Sequence, residues 1–198
     1  MNILIDALPD FVTVCGRKYG VNTDFRIWLE FDRTMRFENI SVKDKIMMVS
    51  KLCFDKEKCR ILPQDAKGIM DGLLSFFLCG KEGNKTEEKE SAKCSNERAF
   101  CFCQDSDYIY SAFLTQYGID LLSIPYMHWY VFSALFRGLE EDRRIMKIIG
   151  WRLCDISGIQ NKGKKECLRK MKEVYALCDN RTDREREEAL ADVLSQAF

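Results

Sequence analysis

The chain has 198 residues, of which 46% are hydrophobic and 31% are charged, and its 31 basic side chains balance 31 acidic ones. The zero net charge excludes a strongly polybasic DNA-binding protein and a chain dominated by an acidic tail. Three prolines and eleven glycines disfavour a turn-rich all-β sandwich. The length fits one domain with its own hydrophobic core. We therefore predict a single, mainly α-helical domain over residues 1–198.

The sequence shows neither an export signal nor a membrane span. The N-terminal MNILIDALPD lacks the basic opening and the apolar run of a secretory signal. The longest apolar segment, residues 124–136, contains Pro125, His128 and Ser133 and is shorter than the ~18 residues that a span needs. The ten cysteines are mostly scattered. We therefore predict a cytoplasmic protein with reduced thiols.

The first part of the chain predicts a hairpin and three helices. Short β-rich runs at Phe11–Val14 and Lys18–Val21 flank a glycine and predict an N-terminal β-hairpin. Three amphipathic helices follow, the first behind Asp24, the second behind Ser41 with a capping-box pattern, and the third from near Pro63. Their apolar positions are Phe25, Trp28, Phe31 and Met35; Val42, Ile46, Val49 and Cys53; and Ile69, Met70, Leu73, Phe76 and Phe77.

Residues 80–98 differ in composition from the rest of the chain. They read GKEGNKTEEKESAKCSNER, with alternating charges and no aromatic residue. Such a segment buries too little apolar surface to offset its ordering entropy, so we predict a mobile loop. Residues 99–103 follow it, and the alternation of phenylalanine and cysteine there predicts a short extended piece.

The second half of the chain predicts four or five further helices. The first ends at Gly118, a natural C-cap, and the second opens at Asp120 and Pro125 and closes at Gly138. A capping box at residues 182–185 opens the last helix. Two more helices are predicted between Gly138 and residue 182. The apolar positions of the first are Ile145, Ile148, Ile149 and Ile156, and those of the second are Leu168, Met171, Val174, Tyr175 and Cys178. The predicted architecture is seven or eight helices with a small hairpin.

Two groups of residues suggest chemistry, and each has a structural alternative. The chain has one histidine, His128, which could pair with a serine or cysteine nucleophile, but its apolar neighbours favour a packed or interface histidine. Cys94, Cys101 and Cys103 could hold zinc, although the usual pair of C-x2-4-C knuckles is missing. We predict no metal site, and the metalloprotein remains an alternative.

Residues 158–165, GIQNKGKK, match the phosphate-binding loop G-x-x-x-x-G-K except at its last position. Lys165 stands there in place of the hydroxyl that ligates magnesium. A helical pattern, and not a buried strand, precedes the segment, which favours a helix–helix turn. With no other catalytic spacing in the sequence, we predict a protein that is not an enzyme and that needs no cofactor.

Charge is unevenly distributed near the C-terminus. Residues 143–172 carry ten basic and two acidic side chains, and the balance reverses from Glu173 onward. A basic helical segment is compatible with nucleic-acid binding. Its lysine-rich part has no interleaved aromatic residues for base stacking, which favours a solvated or protein-facing surface.

Sequence motifs along nearly the whole chain carry a family resemblance. They are LPDFV at residues 8–12, YGVNTDFR at 19–26, DYIY at 107–110, QYGIDL at 116–121, HWY at 128–130 and LFRGL at 135–139. Together they resemble the bacteriophage Gp-fifteen family, which consists of small proteins from siphophages and prophages of Gram-positive bacteria. The resemblance leaves out residues 80–98 and contains no catalytic fingerprint.

The resemblance implies a role in phage tail assembly. Genes of this family typically lie between those for the major tail protein and the tape-measure protein. This position implies a chaperone that binds the tape-measure protein and assists tail-tube polymerisation, with the major tail-tube protein as a second partner. We expect such a chaperone in the cytoplasm of the bacterial host and not in the mature virion. A tape-measure protein is a long helical chain, so helix-in-groove packing would cover its apolar stripes.

The candidate partner surface combines aromatic anchors, which carry binding energy, with basic residues that steer association. The aromatic candidates are Tyr110, Tyr117, Tyr126, Trp129 and Tyr130, and the basic candidates are Arg143, Arg144, Lys147 and Arg152. A position in the hydrophobic core is the alternative for each aromatic residue. Two other functions also remain open, a nucleic-acid-binding phage accessory protein and a structural tail component.

Overall fold

A computed structural model describes residues 2–14, 16–37, 40–54, 66–80 and 99–177 as one hairpin and seven helices. In chain order these are β1 (Phe11–Val14), β2 (Arg17–Gly20), α1 (Phe25–Met35), α2 (Val42–Cys53), α3 (Ala66–Phe77), α4 (Ser106–Tyr117), α5 (Trp129–Arg137), α6 (Arg144–Leu153) and α7 (Lys162–Val174). The mainly α-helical prediction with an N-terminal hairpin is confirmed. The predicted helix start near Pro63, residues 81–98 of the predicted loop and the predicted helix behind residue 182 lie outside the described residues.

The hairpin covers one side of α3. β1 and β2 pair antiparallel, with Val12 opposite Tyr19, and the alternation of side chains directs both of these residues and Val14 into the core. A Cβ atom added to Gly72 of α3 would lie 3.3 Å from Cγ2 of Val14. Glycine at this position therefore allows close approach between helix and strand.

The centre of the core is aromatic. Trp28 of α1 is fully buried, and its ring stacks on Phe76 of α3 at a centroid distance of 4.5 Å and on Trp129 of α5 at 6.4 Å. Its indole N–H donates a hydrogen bond of 2.9 Å to the carbonyl oxygen of Asn22. The single polar atom of this ring is thus satisfied, and α1, α3 and α5 share one core.

α5 begins at Trp129, later than the predicted opening at residues 120–125. The backbone just before α5 pairs with the backbone just before α1. The Phe25 N–H donates to the Met127 oxygen at 2.9 Å, and the Trp129 N–H donates to the Thr23 oxygen at 2.7 Å. This pairing joins segments that are distant in the sequence and holds the residues before Trp129 extended. The helix therefore begins later in the chain than the sequence predicts.

His128 is the N-cap of α5 and not a residue inside a helix. Its Nδ1 accepts the Tyr130 N–H at 3.0 Å, and its Nε2 lies 3.1 Å from the carbonyl oxygen of Pro9. A neutral ring that carries its proton on Nε2 satisfies both contacts. The side chain is buried, which agrees with the prediction of a packed histidine.

We expect the free energy of unfolding to fall as the pH is lowered through about 6.5, the ordinary pKa of histidine. Burial lowers the pKa of His128, so between the two pKa values the unfolded chain binds a proton that the folded protein does not. The free energy of unfolding is therefore highest above the pKa that His128 has in the unfolded chain, and it decreases as the pH falls below that value. Urea unfolding at about pH 7.5 and about pH 5.5 measures the effect.

The matched control for this prediction is His128→Asn, because asparagine is a good N-cap and does not titrate. Every other titrating group is common to both proteins, so the difference between their pH profiles isolates His128. Identical profiles in the two proteins would contradict the prediction.

Residues 102–105 form a turn, and no strand is assigned to residues 99–103, where the sequence predicted a short extended piece. The Asp105 N–H donates to the Cys101 oxygen at 2.9 Å, and the Cys101 N–H donates to Oδ2 of Asp105 at 2.9 Å. These two bonds close the chain around the Asp105 carboxylate. The ring of Phe102 then packs on Phe136 of α5 at 5.7 Å.

α6 lies between α4 and α7 and packs against both helices. Gly118 ends α4 with a φ of 66°, the left-handed C-cap that the sequence predicted. Asn161 caps α7 by accepting the Lys164 N–H at 3.0 Å. Gly163, the second glycine of the segment at residues 158–165 that matches the phosphate-binding loop pattern, therefore lies inside a helix. α6 precedes this segment, which confirms the helix–helix turn. None of the described helices is long and apolar enough to cross a membrane.

Candidate interaction surface

Two of the aromatic candidates belong to the core. Trp129 and Tyr130 are 2% and 5% exposed. The Trp129 ring stacks on Phe77 at 5.0 Å, and its indole N–H donates to the Phe77 oxygen at 2.8 Å. Burial raises the pKa of Tyr130 to about 12. Both side chains therefore pack inside the protein, because the first turn of α5 faces α3 and not solvent, and their role as partner anchors stays a prediction.

The other three aromatic candidates reach the surface, but their hydroxyl groups bond within the protein. Tyr110 and Tyr117 are half-buried on α4, and Tyr126 is 52% exposed in the segment before α5. A partner could therefore contact their rings more readily than their hydroxyl groups. The hydroxyl partners are Oδ1 of Asp120 for Tyr110 at 3.2 Å, the Leu135 oxygen for Tyr117 at 2.9 Å and Oγ1 of Thr23 for Tyr126 at 2.7 Å.

Arg152, predicted from the sequence to steer a partner, is buried in the structure. Its side chain is 5% exposed, and its two terminal nitrogens donate to the carboxylate of Asp105 at 2.7 and 2.8 Å. Its Nε also donates to the Tyr175 oxygen at 2.6 Å, and its Nη1 donates to the Ala99 oxygen at 3.2 Å. The guanidinium therefore joins the start of α4, the segment before it and the end of α7.

Arg143 and Lys147 lie near the surface at the start of α6. Arg143 pairs with Glu140 at 2.5 Å and donates to Oγ1 of Thr115 at 3.3 Å, so it connects α6 to the end of α4. Lys147 is exposed, and its ammonium group makes no ion pair with any residue that the structure describes. Of these two cations, Lys147 is therefore the more available to a partner.

Arg144 lies against two aromatic rings. Its guanidinium is 5.5 Å from the ring centroid of Trp151 and 5.3 Å from that of Tyr175, and it donates to the Tyr175 hydroxyl. The two rings stack on each other at 5.2 Å. Arg144, Lys147 and Trp151 also share one face of α6. We call the four residues Arg144, Lys147, Trp151 and Tyr175 the α6–α7 surface.

The sequence reasoning missed Trp151 and Tyr175 as members of this surface. Both side chains are only partly buried. A seven-residue interval separates Trp151 from Arg144 and places them on the same helix face, and this signal was readable from the sequence. Tyr175 gave no such signal, because it follows the end of α7 and meets Trp151 only through the packing of α7 on α6.

α7 also carries exposed basic residues. Lys162, Lys164, Arg169 and Lys170 are all exposed. The Lys170–Glu166 pair at 3.6 Å is itself exposed and therefore stabilises the helix little. Basic charge beside aromatic rings is suited to binding an acidic segment with apolar side chains.

The described residues contain no group of three or more histidine, cysteine, aspartate or glutamate side chains that could hold a metal ion. Two members of the predicted cysteine group, Cys101 and Cys103, lie in the turn before α4. The third, Cys94, falls outside the described residues.

No curated protein and no solved structure significantly matches the chain. A family model does match it, from residue 4 to residue 177 of the 198. The match includes every helix and strand given above. The chain is therefore a phage protein that belongs to the family described as Bacteriophage Gp15 protein.

Proposed function

We propose that this phage protein is a tail-assembly chaperone that binds the tape-measure protein and assists tail-tube polymerisation. Membership in the Gp15 family carries the proposal. The family resemblance implies a gene position beside the tape-measure gene, and a tape-measure chain needs protection before the tube forms around it.

The α6–α7 surface has the chemistry that such a partner requires. Tryptophan, tyrosine and arginine are the residue types that contribute most binding energy at protein interfaces. The Trp151 and Tyr175 rings offer a partly apolar platform, and Arg144 and Lys147 border it with positive charge. A helix with an apolar stripe and acidic flanking residues complements this combination.

Reversibility is part of the proposal. The polymerising tube protein must displace the chaperone, so a small, charge-steered interface suits the function better than a large apolar one. On this proposal the protein acts in the host cytoplasm, by binding and not by catalysis, and leaves before the virion is complete. Mass spectrometry of purified particles tests the last point. Stoichiometric copies in the virion would favour a structural tail component instead.

We expect Lys147→Glu to weaken binding of the tape-measure protein by about tenfold, because reversing one charge at the interface changes the interaction by ~1–2 kcal/mol. The measurement is the soluble fraction of the tape-measure protein when the two genes are co-expressed. Affinity of the purified pair at low and high salt gives the second readout. The difference between wild type and variant should shrink at high salt.

Lys43→Glu is the matched control, because Lys43 is an exposed lysine on α2, which lies outside the α6–α7 surface. It should bind as the wild type does. Equal losses in both variants would show a general effect of charge and contradict the assignment to α6. If Lys147→Glu keeps the tape-measure protein as soluble as the wild type does, the α6–α7 surface is not the binding site. If the wild type itself does not keep the tape-measure protein soluble, the chaperone function is contradicted.

Nucleic-acid binding is the second candidate, and the exposed lysines and arginine of α7 favour it. A mobility shift with DNA or RNA that weakens steeply with salt would support this function. Absence of binding at low salt would eliminate it.

A further inference from the structure

The C-terminal segment, residues 178–198, is a part of the sequence that the proposed function does not use. It carries six acidic and three basic side chains, whereas residues 143–172 carry ten basic and two acidic ones. The six acidic residues are Asp179, Asp183, Glu185, Glu187, Glu188 and Asp192. The chain thus passes from a strongly basic stretch into an acidic one, and the charges of the two stretches are complementary.

The spacing of residues in this segment predicts a helix face that is acidic at its start and apolar further along. The capping box at residues 182–185 predicts that the helix begins there. Positions i, i+4, i+7 and i+11 share one face of such a helix, and they are Asp183, Glu187, Leu190 and Leu194. Glu185 and Glu188 fall on the opposite face. A helix of this length is marginal in water on its own, so its apolar side chains need a surface to cover.

The α6–α7 surface offers the complementary groups. Arg144 and Lys147 are exposed cations one turn apart on α6, and Arg144 contacts the stacked rings of Trp151 and Tyr175. Gly150 is exposed on the same helix, and a Cβ atom added to it would have no neighbour within 4 Å. The open space at this glycine allows the backbone of a docked helix to approach α6 closely.

The segment also begins beside this surface. Tyr175 is a member of the surface, and the described structure continues from it to Leu177. The connection from Leu177 to Thr182 spans up to about 17 Å when it is extended, which exceeds the ~10 Å diameter of a helix. A helix of residues 182–198 is ~25 Å long, and α7 with its 13 residues is ~20 Å long. The segment can therefore turn back along α7, and so short a connection gives it a high effective concentration at the surface.

We propose that the acidic C-terminal segment docks on the α6–α7 surface of its own chain when no partner is bound. Asp183 and Glu187 pair with the cations of this surface, and the leucines of the same face cover the Trp151 ring. The docked segment occupies the surface that the tape-measure protein uses, and it therefore lowers the apparent affinity for that partner. This consequence rests on the proposed function, whereas the docking itself does not.

Acrylamide quenching of tryptophan fluorescence tests the docking in the full-length protein. Trp28 and Trp129 are buried, so the quencher reports mainly on Trp151. We expect Asp183→Lys combined with Glu187→Lys to raise the quenching constant by about twofold, because the segment leaves the ring. High salt should raise the quenching constant of the wild type as well, because it screens the charge pairs.

The matched control is Glu185→Lys combined with Glu188→Lys, which changes the net charge by the same amount on the opposite face of the predicted helix. We expect this variant to be quenched as the wild type is. Equal effects of the two double variants would show a general effect of charge and contradict the assignment to one face. An unchanged quenching constant in Asp183→Lys with Glu187→Lys would overturn the docking.

Carbodiimide cross-linking followed by peptide mass spectrometry identifies the groups in contact. We expect Lys147 to be joined to Asp183 or Glu187 within the monomer, with a yield that does not depend on protein concentration. Cross-links that appear in dimers and increase with concentration would place the segment on a second copy and overturn docking within one chain. None of these measurements includes a tape-measure protein, so failure of the docking and failure of the chaperone function are separate results.

Discussion

Arg152→Ala is expected to lower the free energy of unfolding by about 3–5 kcal/mol, because it leaves the carboxylate of Asp105 buried without its counter-ion. Asp105 is 1% exposed, so its carboxylate is shielded from bulk solvent. The substitution also removes the bonds to the carbonyl oxygens of Ala99 and Tyr175, and the second of these is one of the links between the start of α4 and the end of α7. Urea unfolding followed by circular dichroism measures the change.

Two further variants test the cause. Arg169→Ala removes an arginine from the exposed face of α7 and should change stability by less than about 0.5 kcal/mol. The double variant Asp105→Leu with Arg152→Met replaces the pair by apolar groups, and we expect it to be much more stable than either single variant. A cost for Arg152→Ala no larger than that of Arg169→Ala would contradict a buried ion pair.

Trp129→Ala should lower the free energy of unfolding by about 3–5 kcal/mol through the cavity that it leaves. The ring is stacked between neighbours, with Phe77 at 5.0 Å and Phe132 at 5.7 Å. Its loss also leaves the Phe77 carbonyl oxygen without its indole donor. Thermal or urea unfolding provides the measurement.

Tyr126→Ala is the control for Trp129, because it truncates a half-exposed aromatic residue in the segment just before α5. It should cost less than about 1 kcal/mol. Wild-type stability of Trp129→Ala, together with loss of tape-measure binding, would show that Trp129 is a partner contact after all. Loss of stability agrees with its place in the core.

Local signals predicted most of the described elements. The apolar spacing behind Asp24 and the cap pattern at Ser41 gave α1 and α2, and the glycine at 118 gave the end of α4. The start of α5 was wrong because backbone pairing with the residues around Thr23, distant in the chain, outweighs the local pattern. The turn at residues 102–105 was missed for a different reason, because a local bond from the Cys101 N–H to the Asp105 carboxylate closes it and the alternation of phenylalanine and cysteine gives no sign of that bond.

The candidate surface was less predictable than the fold. Residue type identifies which side chains can carry binding energy, but it does not say which of them are exposed. Trp129 and Trp151 are the same amino acid, and only the packing of their helices places one in the core and the other beside Arg144. Arg152 shows most clearly that exposure cannot be read from residue type. It lies in a basic stretch, and nothing in that stretch indicates that its partner is Asp105, which is far away in the sequence.

α7 has no fully buried side chain, and the bond from Arg152 to the Tyr175 oxygen is one of the contacts that fix its end. An element attached in this way belongs to the least stable part of a native structure and opens locally before the aromatic core does. Tyr175 follows directly after α7. A partner that bound Tyr175 would therefore also stabilise α7, and the free-energy cost of ordering this helix would lower the apparent affinity.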